Sequence, residues 1–286
     1  MPLVIGVDSS TQSTKVEVRD LDSGELVSSG RAAHPSTGVA PVSETNPNDW
    51  ISAFNSALEQ AGSPKPAAIS VAGQQHGLVT LDAQNKVVRN AKLWNDTQSA
   101  ADAKWCVDQR GDAWWAEHVG SVPVASFTVA KLSWLKRVEP QNWAQVARIC
   151  LPHDFVSWHL RGGGSNEITT DRGDASGTGY WSPKLGKYDN EVLNLIDAKR
   201  DWSNALPRVA TPLEQTGTWQ NAVIGCGTGD NMAGALGIGL SPGDVAISLG
   251  TSGTVYAVSD KPTNDPSAAV AGFADATGAF LPLVCT

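Results

Sequence analysis

Alternation of apolar and polar positions marks the first elements of the chain. Leu3–Asp8, Lys15–Asp20 and Glu25–His34 read as three strands. Val16 and Val18 alternate with Lys15, Glu17 and Arg19, so the second strand has one apolar and one polar face. The turn Asp22-Ser23-Gly24 joins the second and third into a hairpin. The period then changes to that of a helix. Asn46 caps, Pro47 takes the first helical position, and Trp50, Ile51, Phe54, Ala57, Leu58 and Ala61 form one stripe. Ala67–Ala72 is a short buried strand that runs into Gly73-Gln74-Gln75-His76-Gly77.

Further on, the pattern predicts a hairpin from Leu78–Leu81 and Lys86–Val88, and a strand at Lys92–Asn95. Helices are expected at Gln98–Asp108, Thr128–Arg137, Gln141–Ala147 and His153–Leu160. The polar, glycine-rich stretch 162–179 reads as loop, Val223–Gly227 as a strand and Asp230–Leu240 as a helix. Ser241-Pro242-Gly243 breaks the chain, and a domain boundary is placed there. Residues 1–242 are expected to form one lobe and residues 243–286 the incomplete beginning of a second.

Composition narrows the classes. The 286 residues are 41% hydrophobic and 17% charged, a globular balance. A net charge of −8 disfavours a nucleic-acid partner, because phosphates repel such a surface. Cys106, Cys150, Cys226 and Cys285 form no CxxC pair and read as reduced cysteines of a cytoplasmic protein. The N-terminal residues lack a basic, signal-like region, and no apolar run reaches membrane-spanning length, so no membrane association is expected.

One local shape occurs twice. Ile5-Gly6-Val7-Asp8-Ser9-Ser10-Thr11-Gln12-Ser13-Thr14-Lys15 and Ile247-Ser248-Leu249-Gly250-Thr251-Ser252-Gly253-Thr254 are each an apolar strand entering a turn of small hydroxyl residues. Such turns can aim N–H and O–H groups at a phosphate. Only the first carries a carboxylate, Asp8, able to reach a metal or a transferring phosphoryl group. The asymmetry points to phosphoryl transfer.

Five blocks in this order carry a family resemblance: Gly6-Val7-Asp8-Ser9-Ser10-Thr11, Val71-Ala72-Gly73-Gln74-Gln75-His76-Gly77, Leu93-Trp94-Asn95-Asp96, Gly227-Thr228-Gly229-Asp230-Asn231-Met232-Ala233-Gly234 and Ser248-Leu249-Gly250-Thr251-Ser252-Gly253. With them the chain resembles the FGGY carbohydrate kinases, and the Gly-Gln-x-His-Gly block points to their xylulose branch. The resemblance implies an α/β, actin-like ATPase (ribonuclease H-like) fold, a mixed sheet flanked by helices, with one complete lobe and the start of a second. It implies ATP-dependent phosphorylation of D-xylulose to D-xylulose 5-phosphate, with ATP and Mg²⁺ required and a homodimer as the assembly. Asp230 is then the general base and Asp8 the residue that orients Mg²⁺ and the γ-phosphate. Gln75, His76, Trp94, Asn95, Asp96 and Asn231 contact the sugar. Thr11, Gln12, Ser13, Thr14, Lys15, Gly250, Thr251, Ser252 and Gly253 surround the phosphates. Local sequence alone also fits Asp230 as an ordinary helix cap. Two alternatives stay open: a kinase for ribulose, glycerol or another polyol, and an inactive sugar-binding fragment. Thr169–Thr178 is expected to be structural or to support the sugar side.

Overall fold

The computed structural model describes residues 2–249 and 253–285. Its centre is a seven-stranded mixed sheet. The order across it is Gln215–Trp219, Ala222–Gly225, Ala68–Gly73, Leu3–Ser9, Ser13–Asp20 and Leu26–Ala33, and Thr228–Gly229 pairs with the far end of Ala68–Gly73. Leu3–Ser9, Ala68–Gly73, Ala222–Gly225 and Thr228–Gly229 run parallel, and the remaining pairings are antiparallel. The parallel strands end on one rim. Register sets Asp8 beside Ala72 and Ala72 beside Thr228, so Asp230, two residues on, emerges at the same rim as Asp8. Ligands of open α/β sheets bind beyond such carboxyl ends.

Alternation buries one face. Ile5, Val7, Val16, Val18, Ile69, Val71 and Ile224 pack on the predicted helical stripe of Pro47–Gln60 and on Phe155 and Val156. That helix starts as expected, with the Asn46 side chain accepting from the Asn48 N–H. The contact is close. A Cβ on Gly30 would sit 1.9 Å from the Ala57 carbonyl oxygen, so strand Leu26–Ala33 meets the helix only because position 30 has no side chain. The opposite face presents Gly6, Asp8, Lys15 and Ser70, all exposed.

The second sheet is antiparallel throughout, in the order Val245–Leu249, Gly253–Ala257, Phe280–Cys285 and Ala271–Ala274. Its Tyr256, Phe273, Leu281 and Leu283, with Val258 just beyond its second strand, share one apolar cluster with Phe127, Val129 and Met232, which precede residue 243. Backbone pairing adds to that seam: Gly272 N–H donates to the Gly120 carbonyl at 2.9 Å. Among the described residues no helix is long and apolar enough to cross a membrane.

Several sequence expectations need correction. Lys92–Asn95 is not a strand; only Ala91–Lys92 pairs, and the chain then turns, with Asp96 N–H donating to the Leu93 carbonyl. Val79–Leu81 does close on Val87 and Val88, but its ladder partner is Arg148–Cys150. Within 162–179 lie strand Thr169–Asp171 and helix Arg172–Ser176, whose cap is the Asp171 carboxylate, accepting from Gly173 and Asp174 N–H. Helices Asp112–Val119, Asn190–Asp197 and Trp202–Ala205 were not anticipated.

Candidate functional site

A cavity of about 610 Å³ opens at the rim. Thr11, Gln75, His76, Trp94, Asn95, Asp230 and Asn231 line it, with Ser248 and Thr254 from the second sheet. Flanks of both hydroxyl-rich turns thus meet one cavity.

Asp230 is the first residue of helix Asp230–Gly237. Its Oδ1 accepts from the Asn231 backbone N–H at 2.8 Å and from Asn231 Nδ2 at 3.1 Å. The same Nδ2 donates to Gln75 Oε1 at 2.9 Å. Base candidate, amide and second amide therefore form one row along the cavity wall. Gln75 is 4% exposed, and its Nε2 has no hydrogen-bond partner among the described residues. A buried amide donor without a partner costs roughly 1–3 kcal/mol, so a ligand oxygen there would be favoured. Two glycines make room for the row: a Cβ on Gly229 would lie 2.7 Å from Gln75 Cγ, and one on Gly177 would lie 2.7 Å from His76 Cε1.

His76 sits at φ +64°, in the left-handed region. Its Nδ1–H donates to the Gly177 carbonyl at 2.6 Å, which leaves Nε2 as an acceptor. The ring stacks on Phe127 with centroids 5.0 Å apart. Burial, aided by the Lys131 charge, lowers its pKa to about 3, so the imidazole is neutral. A neutral ring with one bare nitrogen suits a hydroxyl donor.

Burial raises the Asp230 pKa to about 7; the Asn231 N–H opposes the shift and the Asp8 charge adds to it. Asp8 itself is exposed, accepts from Ser10 Oγ at 2.6 Å, and lines an adjacent cavity of about 570 Å³ with Lys15, Glu17, Gly227 and Thr228. Asp8 does not line the first cavity, and Asp230 does not line this one.

Other expected site residues have different surroundings. Asp96 is fully buried and absent from the cavity lining; it pairs with Lys92 Nζ at 3.0 Å and accepts from Ser43 N–H and Gln98 N–H. Its carboxylate ties the turn that presents Trp94 and Asn95. Trp94 Nε1 donates to Thr11 Oγ1 at 2.8 Å, joining the expected sugar and phosphate groups. Thr14 Oγ1 is held by Ser9 Oγ and His34 Nε2, and Ser13 Oγ accepts from Arg31. Lys15 pairs with Glu17, and the Gln12 carbonyl accepts from His34 N–H. Gly253 opens strand Gly253–Ala257 opposite Leu249. Gly250, Thr251 and Ser252 lie outside the described residues.

Sequence reasoning missed the wall formed by Ser121, Val122, Val124, Ser126 and Phe127, and by Ala268–Ala271 and Phe273. These are loop and strand residues with no motif, recognisable only once folded.

The sequence profile of the FGGY family of carbohydrate kinases, N-terminal domain, matches residues 3–237. The chain belongs to the FGGY family of carbohydrate kinases. It is 48% identical over 297 residues to the xylulose kinase of Streptomyces rubiginosus, covering 100% of this chain and 60% of that protein. To the xylulose kinase of Haemophilus influenzae it is 33% identical over 307 residues, covering 99% and 62%. The crystal structure of xylulose kinase from Bifidobacterium adolescentis superposes with a TM-score of 0.93 at 40% identity, covering 100% of this chain and 64% of that one. This FGGY chain has the actin-like, ribonuclease H-like α/β fold of these sugar kinases. It spans about 60% of the length of the curated relatives it matches.

Proposed function

We propose that the chain supplies the sugar side of an ATP-dependent kinase that phosphorylates D-xylulose on its 5-hydroxyl. The observation that carries this is the Asp230–Asn231–Gln75 row, ending in an unpartnered buried donor inside a cavity of about 610 Å³. The xylulose-kinase relatives supply the sugar's name.

In the proposed reaction Asp230 accepts the proton of the 5-hydroxyl as its oxygen bonds to the γ-phosphorus of ATP. The bond from that phosphorus to the bridging oxygen breaks, and ADP carries the electron pair away. Gln75 Nε2 and His76 Nε2 bind sugar hydroxyls as donor and acceptor, and Trp94 and Asn95 complete the wall. Mg²⁺ fits this donor set as a nucleotide-borne ion. Among the described residues no cluster of three or more metal-ligating side chains occurs, whereas Mg²⁺ on a triphosphate needs only one or two carboxylates. Asp8 would hold it, where it would neutralise charge on the transferring group. Thr11 and the 250–253 turn would border the phosphates. Residues 1–242 form the N-terminal lobe in this reading and 243–286 the start of a second. The proposal includes a cytoplasmic homodimer.

Calorimetry tests the sugar reading on the chain itself. D-Xylulose should bind with Kd below about 1 mM, and His76→Leu should weaken it about tenfold by removing an acceptor. Tighter binding of ribulose or glycerol, or unchanged affinity in His76→Leu, would contradict it.

A further inference from the structure

Beneath the rim lies a second group of titratable side chains that the proposed reaction does not use. His153, the second residue of helix Pro152–Leu160, is fully buried. Its Nδ1 lies 2.7 Å from Asp174 Oδ2, and its Nε2 lies 3.2 Å from Asp154 Oδ1 and 3.9 Å from Asp171 Oδ1. All three carboxylates are at most 2% exposed. Carboxylates taken this far from water require a nearby positive charge or must take up protons. The neighbouring carboxylates lift the His153 pKa to about 9 against the opposing effect of burial, and burial in turn raises Asp154 to about 7 and Asp174 to about 6, so the four groups share protons as one unit.

The group is wedged against the loop that bears Asp230. A Cβ on Gly227 would lie 2.8 Å from His153 Cδ2 and 2.5 Å from the Val71 carbonyl oxygen; φ there is +72°, so glycine is required on both counts. On the other side, a Cβ on Gly73 would lie 2.9 Å from His153 Cβ. The imidazole thus lies between the end of strand Ala68–Gly73 and the start of the loop. Asp171 makes the next link. Its Oδ2 accepts from Thr228 Oγ1 at 2.7 Å, and Thr228 is two residues before Asp230. Met232, on the first turn of the same helix, packs against Gly173, whose Cβ would lie 2.8 Å from Met232 Cγ.

We infer that His153 is a positioning residue for Asp230: packed between Asp171 and Asp174, it holds them under the loop, and through the Asp171–Thr228 hydrogen bond it fixes where the base carboxylate stands against the sugar hydroxyl. The inference rests on the reading of Asp230 as the general base. It separates two tasks. The cavity wall of Gln75, His76 and Trp94 governs sugar affinity, and the buried group governs the alignment of the base. A displacement of the base by about 1 Å can cost about 10²-fold in rate without loosening the substrate.

The test uses the protein at its full natural length, with ATP and D-xylulose. His153→Gln, which keeps a donor and loses the imidazole, should lower kcat about 10²-fold and leave the sugar KM within about threefold. Thr228→Val, which breaks the link to Asp171 while leaving all four titratable side chains in place, should lower kcat about tenfold, and Thr228→Ser should restore it to within about threefold of wild type. Added to Asp230→Asn, His153→Gln should cost almost nothing further, because both act on one group. Unchanged kcat in both His153→Gln and Thr228→Val would overturn the inference. So would a full additional loss in the Asp230→Asn background, or a Thr228→Ser enzyme no better than Thr228→Val. The Thr228 pair decides the matter even where His153→Gln fails to fold. A fast Asp230→Asn enzyme would refute the base assignment and this inference with it. A slow Asp230→Asn beside fast His153→Gln and Thr228→Val would refute this inference alone.

Discussion

In a full-length enzyme of the proposed kind, Asp230→Asn should lower the turnover of D-xylulose about 10³-fold and leave sugar affinity within about threefold. A positioned general base contributes roughly 10²–10⁴ to rate, and an amide cannot accept the hydroxyl proton. Affinity survives because the Asn side-chain oxygen can still take the two hydrogen bonds that Asn231 now gives to Asp230 Oδ1. Gln75 then remains held by Asn231 Nδ2. Steady-state kinetics with a coupled ADP assay measures both quantities. Turnover within about tenfold of wild type would remove Asp230 from the chemistry, leaving it as a helix-terminal carboxylate stabilised by the helix dipole.

The second large effect is on pH. Burial raises the Asp230 pKa to about 7, with Asp8 adding to the shift and the Asn231 N–H opposing it. Asp174 and Tyr256 also feel its charge. A base works only when ionised, and below its pKa the ionised fraction falls tenfold per pH unit. The rate kcat/KM should therefore level off above pH about 7 and fall about tenfold per unit below it. An unshifted carboxylate would place the break near pH 4. Asp8→Asn removes a neighbouring negative charge and should move the break to lower pH in whatever activity remains. The pH–rate profile of kcat/KM checks this. A flat profile down to pH about 5 would mean that a different group takes the proton.

Much of the site's framework is legible in the sequence because it is local. The hairpin, the Asn46-capped helix and the Ala68–Gly73 strand each follow from spacing and capping within a few residues. Asp8, Gln75, His76 and Asp230 sit where strands end, which alternation and glycine position reveal. What stays hidden is non-local. Asp96 has the residue type of a sugar ligand, yet Lys92 and the Ser43 and Gln98 N–H groups engage its carboxylate in the interior. Residues 169–176 read as loop because turn-formers dominate, yet Asp171 both caps a short helix and binds Thr228, 57 positions away. His153 looks like one position on an amphipathic helix until folding brings Asp171 and Asp174 around it. The seam between the two sheets likewise depends on Gly120 meeting Gly272, which no local pattern encodes.

A crystal structure of the chain with bound D-xylulose is the most direct test. The account predicts the sugar in the cavity of about 610 Å³ lined by Gln75, His76 and Trp94. It also predicts the 5-hydroxyl oxygen about 2.6–3.2 Å from an Asp230 carboxylate oxygen. Sugar bound elsewhere, or bound there with its terminal hydroxyl turned away from Asp230, would contradict it.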